Sequence, residues 1–320
     1  MLHISDSVKK AMILGPTAVL PRPLRVAARE RLLAGLETEI ARRSQLLIIA
    51  HPKSGNTWLK VMLTRLYALR HGIPASDFAR YNELAHRIPA IPRFAATNGW
   101  YSYEGAVGRL LAADAPDSDL KHKPIVLLAR NPIDIAVSWY FQFTKRQSAH
   151  KQELINHFIE HPIDRRTIEM WDFVRYSDIG LPFLIEFLNT WERNLAGLER
   201  NLVTRYEDLR TEPTAVLRQI TSLMGDTFSE AELQEAVDFG SFDNLRKLES
   251  EGFFRQGGLT LRDPRDPESF KVRRAKVGGY RDYFTPEQVA ELEDLMASRL
   301  SPTFGYGPSG QAEPVVARGA

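Results

Sequence analysis

A short apolar run that leads directly into a small polar loop is the feature that most constrains the fold of this chain. Residues 46–58 read LLIIAHPKSGNTW, and a helical pattern begins immediately after the loop. The apolar run predicts a buried strand. In a strand–loop–helix arrangement, backbone N–H groups converge on one point, where the helix dipole favours an anion. The sequence therefore predicts an α/β fold with a phosphate-binding loop.

This loop does not have the residue order of the usual ATP-binding loop. That motif reads G-x-x-x-x-G-K-[ST], with its Lys after the second Gly. Here Lys53 precedes Gly55, the only Gly of the loop. Lys53 supplies a mobile cation, and Ser54 and Thr57 supply hydroxyl donors. We therefore expect a phosphate-bearing ligand, but not ATP held in the usual way.

Composition narrows the class of protein. At 320 residues, the chain can form one large α/β domain or two smaller ones. It has 42 Lys and Arg against 40 Asp and Glu, which argues against a general nucleic-acid binder. The lack of cysteine excludes disulfides and Cys-metal sites. No run approaches the roughly 20 apolar residues that span a bilayer, so a cytoplasmic protein is the default expectation.

The predicted elements alternate between strands and helices. Further strands are expected at 124–130 and 201–210, and Asn131 and Pro132 resemble the N-cap and first residue of a helix. Other helices are predicted at 26–43, 57–70, 181–200, 214–224, 230–239 and 286–300, and residues 71–120 are expected to be irregular. Such alternation implies a parallel sheet covered on both faces, with ligands beyond the carboxyl ends of its strands.

The predicted organisation is a loosely ordered arm over residues 1–25, one domain over 26–305 and a disordered tail over 306–320. The loop at 51–58, Arg130 and the turn at 205–208 each follow a predicted strand. We therefore expect all three to lie on one rim of the sheet.

Four segments, in order, resemble the motif set of the sulfotransferases that use 3′-phosphoadenosine 5′-phosphosulfate (PAPS). They read HPKSGNTW, ARNPIDIAVSWYFQF, TRYEDL and RRAKVGGYRDYFT. The resemblance implies a P-loop NTPase-like three-layer sandwich with a central parallel sheet flanked by helices. It also implies sulfuryl transfer from PAPS to a hydroxyl, or less readily an amine, of a small-molecule acceptor. The nucleotide product is 3′-phosphoadenosine 5′-phosphate (PAP), and the reaction needs no metal.

The resemblance also assigns donor-binding roles. Lys53 would bond the bridging oxygen and the 5′-phosphate, within a cradle formed by Ser54, Gly55, Asn56 and Thr57. Contacts to adenine would come from Trp58, Tyr206 and Phe242. The 3′-phosphate would be bound by Arg130, Ser138, Arg273 and Arg274. Ala275 replaces the family's Gly after the last two, which narrows the backbone conformations available there.

The catalytic base is the point of departure from the family. Relatives carry a His between the first two motifs, where IPRFAATNGW at 91–100 places Asn98, with Ala96 where some members have a Lys. An amide is not a base near neutral pH, so we expect Asn98 to orient the acceptor or to bond the sulfuryl group. The nearby candidates for the base are Glu83, His86, Glu104 and His122. His122 is discounted because it precedes the second strand, whereas Glu83 and His86 lie in the irregular segment.

A chain without this His is also compatible with chemistry that needs no side-chain base. The acceptor can be a phenolate or an amine that needs little help, or the chain can bind the nucleotide without efficient catalysis. The second case describes a nucleotide-binding interaction protein. A small-molecule kinase of related topology is a further alternative, although the ATP loop and an obvious Mg²⁺ ligand are missing from the sequence. A homodimer is also left open.

Aromatic residues around the second motif predict an apolar acceptor pocket. They are Phe94, Trp100, Tyr101, Tyr103, Trp139, Tyr140, Phe141 and Phe143.

Overall fold

A single parallel sheet forms the centre of the fold. The computed structural model describes residues 4–255 and 276–307, and within them the sheet has four strands in the order β2-β1-β3-β4. Ile49 in β1 is paired with Thr97 of β2 on one side and with Leu127 of β3 on the other. All pairings are parallel, so the carboxyl ends of the strands meet at one edge. The strands are β1 Leu46–Ile49, β2 Phe94–Thr97, β3 Ile125–Ala129 and β4 Asn201–Arg205.

Two apolar cores cover the two faces of this sheet. Leu47 and Ile49 of β1 belong to one core, and Leu46 and Ile48 belong to the other. This division follows from the two-residue period of a strand, which sends successive side chains to opposite faces. Helices pack on both sides, so the predicted three-layer sandwich with a parallel sheet is confirmed.

Helices make up most of the remaining described chain. The α-helices are α1 Asp6–Thr17, α2 Arg22–Arg43, α3 Asn56–Arg70, α4 Leu84–Arg87, α5 Gly105–Leu111, α6 Pro132–Phe141, α7 Ala149–Phe158, α8 Met170–Arg175, α9 Leu181–Leu195, α10 Tyr206–Thr211, α11 Pro213–Met224, α12 Glu230–Phe239, α13 Phe242–Ser250 and α14 Pro286–Arg299. None of the described helices has both the length and the apolar character needed to cross a bilayer.

The predicted start of α6 is confirmed in detail. The Asn131 side-chain oxygen accepts hydrogen bonds from the backbone N–H groups of Ile133 (2.9 Å) and Asp134 (3.3 Å). Pro132 occupies the first helical turn, where a missing N–H costs nothing. The cap fixes the point at which the chain leaves β3, and therefore the position of Arg130.

The expectation of a loosely ordered segment before residue 26 is wrong, because α1 occupies Asp6–Thr17 and α2 already begins at Arg22. The buried Arg29 side chain holds the two helices together by donating to the Thr17 hydroxyl at 3.0 Å. This bond joins residues on separate helices, so local composition does not indicate it. The division into arm, domain and tail otherwise stays a prediction.

Two further differences concern segments predicted to lack structure. Strand β2 lies within residues 71–120; its sequence FAAT is short and half alanine, a residue of weak β propensity, so its pairing with β1 is a tertiary effect. At the other end, Tyr306 is buried and its hydroxyl donates to Glu207 at 2.7 Å. Residue 306 is therefore ordered, although the predicted tail included it. Residues 308–320 lie outside the described part.

Two glycines let α5 pack against the turn that follows β2. Gly99 has a φ of +60°, in the left-handed region that favours glycine. A Cβ atom on Gly108 would overlap the carbonyl oxygen of Gly99, and one on Gly99 would overlap the Trp191 ring. The turn after β2 is therefore held on two sides.

Gly108→Ala is expected to lower the free energy of unfolding by about 3 kcal/mol, because the added methyl group must displace backbone atoms. Gly35→Ala is the matched control, since Gly35 lies at an exposed position of α2 and an added Cβ there meets no atom within 4 Å. That control should raise stability by about 0.5–1 kcal/mol through helix propensity. Urea denaturation measures both, and equal effects would contradict the packing of α5.

Candidate functional site

A cavity of about 720 Å³ opens at the carboxyl ends of the strands. Each strand contributes a residue to its lining just beyond its last pairing: Asn98 after β2, Lys53 after β1, Arg130 after β3 and Tyr206 after β4. The prediction that the loops after these strands share one rim is therefore confirmed by their common cavity.

The loop after β1 has the shape of an anion cradle. Both Lys53 (φ +84°) and Gly55 (φ +97°) adopt left-handed backbone conformations. For a lysine this conformation costs on the order of 1 kcal/mol, a strain that functional loops often carry. Gly55 is the N-cap of α3 and no side chain caps the helix, so its first N–H groups can face a ligand. Asn56 and Thr57 form the first turn and line the cavity.

Ser54 is the cradle residue that does not line the cavity. Its side chain is buried, and its hydroxyl oxygen has no hydrogen-bond partner among the described residues. A buried hydroxyl without a partner is costly unless a ligand or water satisfies it. This orphaned group fits a loop that is completed by a bound anion.

Arg130 joins this loop to the strand beside it. Its guanidinium group donates to the Lys53 carbonyl oxygen at 2.9 Å and lies 4.4 Å from the centre of the Tyr206 ring. Its Nε atom is buried and finds no acceptor within the described chain. Burial raises the pKa of Asp134, and the nearby Arg130 charge opposes that rise. Arg130 is thus held at the rim with donor capacity to spare.

Asp134 anchors the segment that returns to the site near the C-terminus. Its carboxylate accepts from the backbone N–H groups of Gly278 (2.8 Å) and Tyr280 (3.2 Å). Lys276 lines the cavity, and its carbonyl oxygen accepts from Arg130 at 3.5 Å. Sequence reasoning missed Asp134, although an acidic residue in the first turn of a capped helix was a usable signal. The predicted Arg273 and Arg274 lie outside the described residues.

Aromatic side chains border the other side of the loop. The Trp58 indole N–H donates to the Gly240 carbonyl oxygen at 2.6 Å, and its ring meets Tyr206 edge-to-face at 5.8 Å. A Cβ on Gly55 would lie 2.7 Å from the Tyr206 ring, so only a glycine allows this approach. Phe242 and Ser138 also line the cavity. The structure therefore brings together all the predicted donor-side residues that it describes except Ser54, which lies beneath the loop.

Asn98 borders the loop from the β2 side. The Ala50 N–H donates to the Thr97 carbonyl oxygen at 3.0 Å, which extends the strand pairing to the start of the loop. The side-chain oxygen of Asn98 accepts from the N–H groups of Trp100 (2.8 Å) and Tyr101 (3.3 Å). Its amide nitrogen is buried and lies near the Tyr101 hydroxyl, without a hydrogen bond of good geometry in the part of the chain that is described. Asn98 therefore keeps a donor for a ligand.

The structure does not bring Glu83 or His86 to the cavity. Neither is among the described residues that line it. His86 lies in α4, with its Nε2 atom 3.8 Å from the Asp6 carboxylate of α1, a helix that the sequence did not predict. His122 is exposed and pairs with Asp117 at 3.0 Å, away from the site. Glu104 does line the cavity, and its carboxylate accepts from the Asn98 N–H at 2.8 Å.

A second carboxyl group, that of Glu37 on α2, interacts electrostatically with Glu104. The pKa of this half-buried side chain is raised to about 7, first by desolvation and then by the negative charge of Glu104. The Thr97 hydroxyl and the Lys151 and Lys10 ammonium groups oppose this rise. Burial in turn lowers the pKa of Lys10 to about 8. This cluster depends on α1, so no local pattern in the sequence indicates it.

His51, the first residue of the loop, is a buried neutral side chain. Its pKa is lowered to about 3 because it is enclosed by aromatic rings, with Trp139 at 5.4 Å and Phe187 at 5.8 Å. It does not belong to the described cavity lining. Across residues 4–255 and 276–307, no group of three or more His, Cys, Asp or Glu side chains could hold a metal ion.

With this geometry established, comparison with known proteins identifies the family. The profile of the sulfotransferase domain matches residues 43–304, which is most of the chain. The chain belongs to the sulfotransferase family. The resemblance of its four motifs is thereby confirmed, and sulfuryl transfer is the reaction class of this sulfotransferase.

Individual relatives agree with this assignment. Cytosolic sulfotransferase 5 of Arabidopsis thaliana is 25% identical over 276 residues, which are 80% of each chain. Cytosolic sulfotransferase 14 of the same plant is 27% identical over 272 residues, 78% of this chain and 73% of the relative. Retinol dehydratase, solved in complex with retinol and PAP, superposes with a TM-score of 0.52 at 15% identity, covering 82% of this sulfotransferase and 85% of that chain. The last likeness shows a shared fold.

The raised pKa of Glu37 predicts that the stability of the protein falls as the pH rises towards neutral. Its folded pKa of about 7 exceeds the ordinary 4.5, so folding favours the protonated form. This contribution is fully present below pH 4.5 and is lost as the pH rises through 7. Between those limits, wild type should lose up to about 3 kcal/mol of unfolding free energy relative to Glu37→Gln. Urea titrations at several pH values measure this free energy of unfolding.

The control Glu39→Gln, at an exposed position, should keep the wild-type decline of stability with pH. Parallel profiles of stability against pH for wild type and Glu37→Gln would contradict the raised pKa of Glu37.

Proposed function

We propose that this sulfotransferase moves a sulfuryl group from PAPS to a hydroxyl, less readily an amine, of a small-molecule acceptor, and releases PAP in the cytoplasm. The observation that carries the proposal is the bond from Arg130 to the Lys53 carbonyl oxygen. That bond holds the Arg130 guanidinium against the backbone of the Lys53 loop, so two cationic residues from adjacent strand ends line one cavity. A donor with two separate anionic groups matches such a pair.

The loop after β1 is suited to the 5′ end of the donor. The uncapped N-terminus of α3 offers backbone N–H groups, and the left-handed turn at Lys53 and Gly55 exposes them. During transfer, negative charge builds up on the leaving phosphate. Lys53 and the helix N-terminus would stabilise that charge, with Ser54, Asn56 and Thr57 as further donors.

Arg130 is suited to the 3′-phosphate, because its planar fork gives paired hydrogen bonds to phosphate oxygens. Ser138 lines the cavity two turns along α6 and would add a hydroxyl donor. The resemblance adds Arg273 and Arg274, whose segment leads into Lys276 beside Arg130.

The aromatic side of the cavity is suited to adenine. Trp58 is locked by its bond to Gly240, and Tyr206 is locked between Gly55 and Arg130. Rigid rings of this kind bind a flat base at little entropic cost. Phe242 begins the helix after Gly240 and would close the slot from the other side.

The rest of the cavity would receive the acceptor. Its total volume of about 720 Å³ is typical of small-molecule sites. Tyr101, Trp139 and Phe141 line it with apolar surface. The amide group of Asn98 carries two N–H donors and is suited to hold a sulfuryl oxygen, so Asn98 is proposed to position the reacting group and not to accept a proton.

Lys53→Ala is expected to lower kcat for PAPS-dependent transfer by at least about 100-fold, whereas Asn98→Ala should lower it about tenfold. Transfer of ³⁵S-labelled sulfate from PAPS to a panel of phenols and aliphatic alcohols measures both. Equal and negligible effects would contradict this account of the site.

A PAP-binding titration and an ATP phosphoryl-transfer assay, run beside the sulfate-transfer assay, separate the alternative functions. PAP binding without transfer by the wild type would indicate a nucleotide-binding interaction protein. Mg²⁺-dependent phosphoryl transfer from ATP would indicate a kinase.

A further inference from the structure

The acceptor side of the cavity contains a carboxylate that can accept a proton, in place of the histidine that Asn98 replaces. Glu104 lines the cavity, and one of its oxygens accepts the Asn98 N–H at 2.8 Å. Asn98 stands at the end of β2, the strand paired with β1, so Glu104 lies on the same rim as Lys53. We propose that Glu104 is the catalytic base of this sulfotransferase. The inference rests on the proposed use of PAPS.

The other carboxylates in the described lining are engaged elsewhere. Asp134 is bonded to the N–H groups of Gly278 and Tyr280. Asp282 accepts from the Lys276 ammonium group at 2.7 Å. Both belong to the Arg130 side of the cavity.

Asp238 is also unsuited to the acceptor side. It precedes Gly240, which is bonded to Trp58, and it is therefore on the proposed adenine side. The described lining contains no histidine. Among the described residues, Glu104 is thus the carboxylate placed beside Asn98.

The position of Glu104 is fixed from both ends. The residue closes the short 3-10 helix Ser102–Glu104, directly before α5. Its bond to the Asn98 N–H ties this helix to the turn after β2, and the Gly99–Gly108 contact holds α5 against the same turn. A base needs such fixed placement, because proton transfer requires hydrogen-bond distance to the reacting hydroxyl.

The acceptor oxygen forms a bond to sulfur while the bond between sulfur and the bridging oxygen of the donor breaks. The electron pair of that bond stays on the leaving phosphate beside Lys53. The hydroxyl proton passes to the Glu104 carboxylate, and no oxidant, reductant or metal is consumed.

Glu104→Gln is the decisive variant, since a glutamine can still accept the Asn98 N–H but cannot take a proton. We expect kcat for an aliphatic alcohol acceptor to fall at least about 100-fold, with PAP affinity, measured by calorimetry, unchanged within twofold. Glu30→Gln is the matched control. Glu30 lies two turns before Glu37 on α2, accepts from the Ser102 hydroxyl at 2.7 Å and is not among the described lining residues. It should keep kcat within twofold.

The outcomes separate this inference from the proposed function. Full transfer by Glu104→Gln, with PAP bound normally, would overturn the assignment of the base alone. If wild type failed to bind PAP, or bound it without transferring sulfate to any acceptor, both proposals would fall.

Discussion

The site depends on the pairing of β1 with a parallel neighbour on each side. Because β1 lies between β2 and β3, its loop is flanked by Asn98 on one side and by Arg130 on the other. Parallel strands place their carboxyl ends at one edge, so three stretches that are distant in sequence meet there. The order of the strands therefore determines which chemistry stands next to Lys53: an amide and a carboxylate towards β2, and cations towards β3.

A small number of close backbone approaches then fix the side chains. Gly55 lets the Tyr206 ring touch the loop, and Tyr206 in turn supports the Arg130 guanidinium. The bond from Arg130 to the Lys53 carbonyl oxygen then connects the guanidinium group back to the same loop. Because each contact uses backbone or a rigid ring, little conformational entropy remains to be lost when a ligand binds, which is the condition for a preorganised site.

The sequence predicted the parts of this arrangement that local patterns encode. The apolar run before the loop, the Asn131 cap and the order of the four motifs were sufficient for the fold class and for most of the residues that line the cavity around Lys53. Prediction failed for elements whose structure depends on contacts between residues that are distant in sequence. FAAT becomes a strand only through pairing with β1, and α1 is held by the buried Arg29. The Glu37–Glu104 pair joins α2 to a short 3-10 helix, so no local spacing could reveal it, and Glu83 and His86 looked equally suitable.

The proposed function requires two separate phosphate sites on adjacent strand ends of one cavity. Calorimetric titration with PAP, adenosine 3′-monophosphate and adenosine 5′-monophosphate measures whether both sites exist. Each charge-assisted phosphate contact contributes about 1.5–3 kcal/mol, and about 1.4 kcal/mol corresponds to a factor of ten in affinity. PAP should therefore bind at least tenfold more tightly than either monophosphate. Equal affinities for PAP and one monophosphate would contradict the two-site account, because a single cation site would then explain the binding.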